Sequence, residues 1–113
     1  KDYFKSRMPV DSRTKQPLGL LHGGASCVLA ESTASFAAFL TIDPTKKTVV
    51  GLSLVANHIR TATSGHVFAC AKAIHIGKST SIWNVEITND TDELISKITF
   101  TAMHKELKKE NTI

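Results

Sequence analysis

The sequence predicts an α+β fold in which an antiparallel sheet wraps around one long central helix. Three observations carry this expectation. From Ala25 to Thr41 the chain has the pattern of a helix that is apolar on most faces, with Glu31 its only charged residue. From Thr48 onward the apolar residues recur with period two, in four separate stretches. Short runs of turn-forming residues divide those stretches, and short connections join antiparallel neighbours.

Taken in order, Lys5 to Val10 alternates well enough for a first strand, with Pro9 marking an edge or an end. Asp11 to Lys15 is polar and reads as loop. Gln16-Pro17-Leu18-Gly19-Leu20-Leu21-His22-Gly23-Gly24 is punctuated by Pro and Gly and reads as a turn into the helix. Asp43-Pro44-Thr45-Lys46-Lys47 stops that helix. Strands are then expected over Thr48–His58, His66–His75, Ser79–Thr88 and Leu94–Met103. Thr61–Gly65, Ile76–Lys78 and Asn89–Asp92 serve as the turns between them. A helix buried nearly all round, followed by strands on short turns, suggests a sheet curved about it.

The totals bound the function. A chain of 113 residues, 42% hydrophobic and 21% charged, is one ordinary globular domain. Its net charge of +4 suits an anionic small ligand. No basic stripe interleaved with aromatics points to nucleic acid, and Lys105, Lys108 and Lys109 read as a solvated tail. Cys27 and Cys70 form no CxxC and are expected to be reduced and buried. No metal is expected, because no histidines stand at i,i+4 and no Cys/His cluster exists. His66 and His104 are read as structural. Ala25–Leu40 is too short and too interrupted to span a membrane. No leader is visible at Lys1-Asp2-Tyr3, so a cytoplasmic protein is expected.

Glu31 is the residue that asks for an explanation. No cation stands near it at helical spacing, and Ser35 lies at i+4 on its face. A carboxylate on an apolar helix faces a cavity, finds a distant partner, or points to solvent. In apolar surroundings it is pushed toward its neutral form and becomes a candidate base or nucleophile. Gly23-Gly24 at the helix entrance lets another group approach backbone N–H groups closely.

Several stretches together resemble a known family. They are Met8 to Ser26 with its His22-Gly23-Gly24, then Leu29-Ala30-Glu31-Ser32, Val49-Val50-Gly51-Leu52, Ala56-Asn57-His58-Ile59-Arg60 and His75-Ile76-Gly77-Lys78-Ser79. In order and spacing they resemble the hotdog-fold acyl-CoA thioesterases. The likeness is to the branch that holds 1,4-dihydroxy-2-naphthoyl-CoA hydrolase of menaquinone biosynthesis and the proofreading thioesterase of enterobactin synthesis. Phenylacetate-pathway thioesterases are cousins. The resemblance runs over nearly the whole chain, 1–113, as a single hotdog domain. Relatives carry a helix ahead of the first strand, and that piece is expected to be missing here.

The resemblance implies roles. Glu31 would be the catalytic carboxylate, as base or nucleophile. The Gly23 N–H and Gln16 would polarise the thioester carbonyl, which suits donors at a helix N-terminus. His22 would lie near the leaving sulfur or place the substrate. Ser35 and Ser32 would line the acyl pocket or orient water. Coenzyme A would run along Gly51, His58-Ile59-Arg60-Thr61 and His75-Ile76-Gly77-Lys78-Ser79-Thr80, with Arg60 and Lys78 as phosphate partners. It is part of the substrate, so no separate cofactor is implied. Glu31 and the Gln16/Gly23 pair would come from different subunits of a homodimer, with dimers pairing into a homotetramer. The acyl group would be aromatic, dihydroxynaphthoyl or benzoyl in type, with Leu18, Leu20 and Phe36 as pocket candidates. The carrier would be coenzyme A or a carrier protein.

Two other readings stand beside hydrolysis. A hydratase or dehydratase of the same fold needs a His and a carboxylate on the same substrate carbons, and His22 and Glu31 are the candidates. A non-catalytic acyl-CoA sensor would bind without releasing thiol.

Overall fold

The computed structural model describes residues 3–107. Strand β1 covers Tyr3–Pro9, helix α1 Gly23–Phe39, β2 Lys47–His58, β3 His66–Ile76, β4 Thr80–Thr88 and β5 Leu94–Glu106. The helix begins two residues earlier than the apolar pattern suggested and ends two residues sooner. Lys108 and Lys109 of the expected tail lie outside the described residues. No helix among the described residues is long and apolar enough to cross a membrane.

The five strands form one antiparallel sheet in the order β1-β3-β4-β5-β2. Tight turns do join the neighbours β3, β4 and β5. The expectation fails for β2 and β3, which are consecutive in the chain but separated by two strands in the sheet. The segment between them is not a hairpin turn. Its buried Ala62 accepts from the Leu21 N–H through its carbonyl at 2.7 Å, and the Gly65 carbonyl accepts from Val10 N–H at 2.8 Å. Those bonds tie the segment to the loop before the helix, so it is a crossover and β2 pairs with β5 instead.

Helix α1 packs against all five strands. Ala30, Ala34 and Ala38 are completely buried beneath it, small side chains that let the helix approach the sheet closely. Across from them lie Val67, Ala69, Ala71, Val85, Ile87, Ile98 and Phe100. The helix is not buried all round, however. Val28, Phe36 and Leu40 are at least half exposed, and Glu31 and Ser32 are exposed too. Strand β2, an edge, shows Leu52, Val55 and the following Ile59 to solvent in the same way. Cys27 and Cys70 are free and only half-buried.

Three register shifts interrupt the ladders, at Gly51/Ser53 in β2, at Ala73/His75 in β3 and at Ile87/Thr88 in β4. Such irregularities bend a strand and re-aim its side chains. The first two fall in stretches singled out in the sequence.

The turn after β1 is held by Asp11. Its carboxylate accepts from the Arg13 guanidinium at 2.6 Å and from the Arg13 N–H at 2.9 Å. Those bonds, led by the Arg13 side chain, pull its pKa from 3.8 to about 2. A folded-state value below the unfolded one stabilises the fold above pH 3.8 and ceases to do so as pH falls toward about 2. Asp11→Asn is therefore expected to flatten the acid limb of the stability curve between those values. The change is small and shrinks with salt because both groups reach solvent. Denaturant titrations at a series of pH values check it.

Candidate active site

The helix entrance is built so that one donor remains free. His22 is the N-cap, and its Nδ1 accepts from the Gly24 N–H at 3.0 Å. The His22 carbonyl accepts from Ala25 N–H at 2.9 Å and Ser26 N–H at 3.3 Å. Of the four N–H groups that open the helix, only that of Gly23 has no acceptor among the described residues. It stands at the positive end of a 17-residue helix. His22 thus takes the capping role, and with Nδ1 accepting, its neutral ring carries the proton on Nε2.

Gln16 opens a loop closed by a bridge between Lys15 and Leu21. Its backbone N–H donates to the Leu20 carbonyl at 2.8 Å, and its side-chain Oε1 accepts from the Leu18 N–H. With Oε1 taken, the side-chain NH₂ is left to donate outward. Gly19 has a φ of 86°, which suits glycine in so tight a loop. Leu18 is 83% exposed, so it lines no pocket within this chain, and Phe36 packs on Phe4 with ring centres 4.9 Å apart.

His58 lies against the helix entrance rather than out along the sheet. Its Nδ1 bonds the Ser96 hydroxyl at 2.8 Å. Its Nε2 stands 3.1 Å from where a Cβ on Gly23 would be. The sequence placed His58 with the coenzyme stretch, and the structure sets its ring over Gly23. Gly23→Ala must push that ring by a few tenths of an ångström. A thioesterase that used the Gly23 N–H as an oxyanion donor would lose about 10-fold or more in turnover, since displaced donors lose much of their value. Adding His58→Ala should recover the stability lost in Gly23→Ala, as melting temperatures would show.

Glu31 lies two turns further along α1. Its Oε2 is 3.3 Å from the position of a Cβ on Gly51, where two ring carbons of Phe100 also crowd at 3.2 and 3.4 Å. Glycine at 51 therefore makes room for the carboxylate beside the bulge of β2. The carboxylate is exposed and has no hydrogen-bond or ion-pair partner among the described residues, so within one chain it is neither enclosed nor paired. Ser35 follows one turn on, half-buried, and Ser32 is exposed beside it.

Within one chain these groups do not converge. Eight residues of helix, about 12 Å, separate Gly23 from Glu31. The two coenzyme stretches are also apart. His58 pairs with Ser96 at one end of β5, and Thr80 pairs with Met103 at the other. Seven residues of strand, about 23 Å, lie between. At the first end Ile59 and Arg60 donate from backbone to the Ile95 carbonyl, and the Arg60 guanidinium reaches the Leu94 carbonyl at 3.0 Å. Thr61 is exposed next to them. At the second end Gly77 N–H closes a turn on the Thr80 carbonyl at 2.7 Å. His75 Nε2 lies over Gly77 where a Cβ would sit, while Ile76, Lys78 and Ser79 are exposed.

Residues 18–96 match the model of the thioesterase superfamily. The chain belongs to that superfamily. It is 50% identical over 93 residues to the 1,4-dihydroxy-2-naphthoyl-CoA hydrolase of Escherichia coli, covering 82% of this chain and 68% of that one. It is 40% identical over 89 residues to the proofreading thioesterase EntH of Cronobacter sakazakii, covering 79% and 64%. A mutant of thioesterase PA1618 from Pseudomonas aeruginosa superposes with a TM-score of 0.93 at 43% identity, over 94% of this chain and 76% of that one. Thioesterase HI1161 from Haemophilus influenzae gives 0.93 at 38%, over 99% and 78%. The chain spans 57% to 81% of the length of the curated relatives it matches. The sheet and its helix are thus the hotdog fold.

Two residues beside the candidate site carried no signal in the sequence. Phe100 and Ser96 sit in an ordinary alternating strand, and only the register of β5 against β2 reveals them behind Gly51 and beside His58. Among the described residues no three His, Cys, Asp or Glu side chains gather as a metal site.

Proposed function

We propose that this chain hydrolyses an acyl-CoA thioester in a site shared by two subunits. The observation that carries it is the pairing of one free donor with one free carboxylate, Gly23 N–H and Glu31, placed too far apart to act within one chain. Edge strand β2, with its exposed Leu52 and Val55, supports a dimer built along that edge. Antiparallel pairing of β2 with its copy sets the His58 end of one strand against the Gly51 end of the other. Gly23 and Gln16 of one subunit then meet Glu31 of the partner subunit, and the stretch at His58 to Thr61 meets the partner's 75–80 turn. Pairing of dimers into a tetramer is part of the same proposal.

The thioester carbonyl oxygen accepts from the Gly23 N–H and the Gln16 amide, which stabilise the charge that develops there. Glu31 takes a proton from water as the water oxygen bonds the carbonyl carbon. The C–S bond then breaks and the thiolate receives that proton, giving acid and thiol. In the second route a Glu31 oxygen attacks first, expelling the thiolate, and water opens the resulting anhydride. Two relatives named for 1,4-dihydroxy-2-naphthoyl-CoA hydrolysis support an aromatic acyl group, and a menaquinone role with it. A cytoplasmic place is part of the same proposal.

Thiol release over benzoyl, naphthoyl and straight-chain acyl-CoA substrates tests the proposal. Fastest turnover on the aromatic thioesters is expected. Hydration of an enoyl-CoA without thiol release, or binding without turnover, would replace it with the dehydratase or sensor reading.

A further inference from the structure

The loop after the helix was read only as a helix stop. In the structure it forms one wall of a cleft of about 260 Å³, facing the β3–β4 turn. The cleft is lined by Lys46 and Lys47 from the loop side, by Gly77 and Lys78 from the turn, and by the buried His104 beneath. Lys47 Nζ donates to the Lys78 carbonyl at 2.8 Å, linking residues 31 apart in the chain. His104 N–H donates to the Ser79 carbonyl at 2.7 Å, and its Nε2 bonds Ser81 Oγ at 2.9 Å. The turn is therefore held from two sides.

Charge in the cleft is unbalanced. Asp43 is its one carboxylate, held ionised by hydrogen bonds from the Thr45 hydroxyl and N–H. Against it stand three ammonium groups. Among the described residues the only ion pair is Arg13–Asp11, so none of the three has a described carboxylate within 4.0 Å. Glu106 is opposite Lys47 in register and makes no such contact. Cations that outnumber the carboxylate of a concave site favour an anion.

We infer that Lys46 and Lys47 act with Lys78 to hold the phosphates at the nucleotide end of the carrier. The inference rests on the acyl-CoA reading and adds residues to it. Position supports it: four residues of extended strand, about 13 Å, separate Lys47 from Gly51, against which Glu31 lies. The flexible arm of a coenzyme A thioester is long enough to span that gap. Lys47 has a double role, as a charge and as the strap that positions the turn.

The test compares wild type with Lys46→Met, Lys47→Met and the double variant. Substrates are benzoyl-CoA and benzoyl-N-acetylcysteamine, which lacks the nucleotide. The double variant is expected to raise KM for benzoyl-CoA about 10-fold more than for the truncated thioester, with the loss diminishing in high salt. Lys47→Arg should retain most of the wild-type KM. Equal effects on both substrates, or none on benzoyl-CoA, would overturn the inference. Calorimetry with adenosine 3′,5′-bisphosphate gives an answer independent of turnover. Binding weakened about 10-fold or more in the double variant supports the cleft even if no thiol is released. Unchanged binding, or none to wild type, refutes it.

Discussion

Glu31→Gln is expected to lower kcat for thioester hydrolysis by about 10³-fold or more, the scale of a lost general base or nucleophile. The melting temperature should stay within about 2 °C of wild type, because a surface change away from caps and core costs little. Glu31 is exposed and makes no hydrogen bond among the described residues, so its removal leaves nothing unsatisfied. Glutamine is the same size as glutamate, so the space beside Gly51 and Phe100 stays filled as before. Rates of thiol release beside thermal melts give both numbers. A variant with wild-type turnover would remove Glu31 from the chemistry. A variant that melts far lower would show that the residue serves the fold instead.

Phe100→Ala should have the largest effect on stability. The ring is 1% exposed and belongs to the core between helix and sheet. Truncating a buried Phe costs about 3–5 kcal/mol through lost burial and the cavity left behind. For a domain of this size that lowers the melting temperature by about 12 °C or more. The ring also stands behind Gly51 where Glu31 rests, so kcat should fall as well when measured well below the melting temperature. Phe100→Leu, which keeps most of the volume, should recover most of both. A small change in melting temperature would mean that the ring contributes little to the core between helix and sheet.

Much of the fold was legible because it is local. Period-two alternation marked β2 to β5, and the single charge in an alanine-rich run marked α1. Asn89 to Asp92 was readable as a turn, where Asp92 adopts a φ of 66°. The strand order was not legible. Nothing in residues 59–65 announces that they bond to residues 10 and 21 rather than folding back as a hairpin. The helix looked buried on every side because its apolar residues include Val28 and Phe36, which need a second surface that one chain does not supply.

The candidate site divided in the same way. Gly23 and Glu31 could be named from spacing on one helix, since backbone donors at its start and a lone carboxylate on it are local features. His58 over Gly23, Phe100 behind Gly51, and Lys47 on the Lys78 carbonyl join residues at least 31 positions apart. Lys46 and Lys47 in particular had an adequate local explanation as a helix stop, which hid their place in the cleft.

A mixed-dimer experiment bears most directly on the shared site. Glu31→Ala and Gln16→Ala subunits, each nearly inactive alone, are coexpressed and the mixed dimer is isolated through two different tags. One of its two sites then combines an intact Gly23/Gln16 corner with an intact Glu31 from the other chain. About half of wild-type activity is expected to return. A mixed dimer as inactive as either parent would show that Glu31 and Gln16 act within one chain, and the two-subunit site would have to be abandoned.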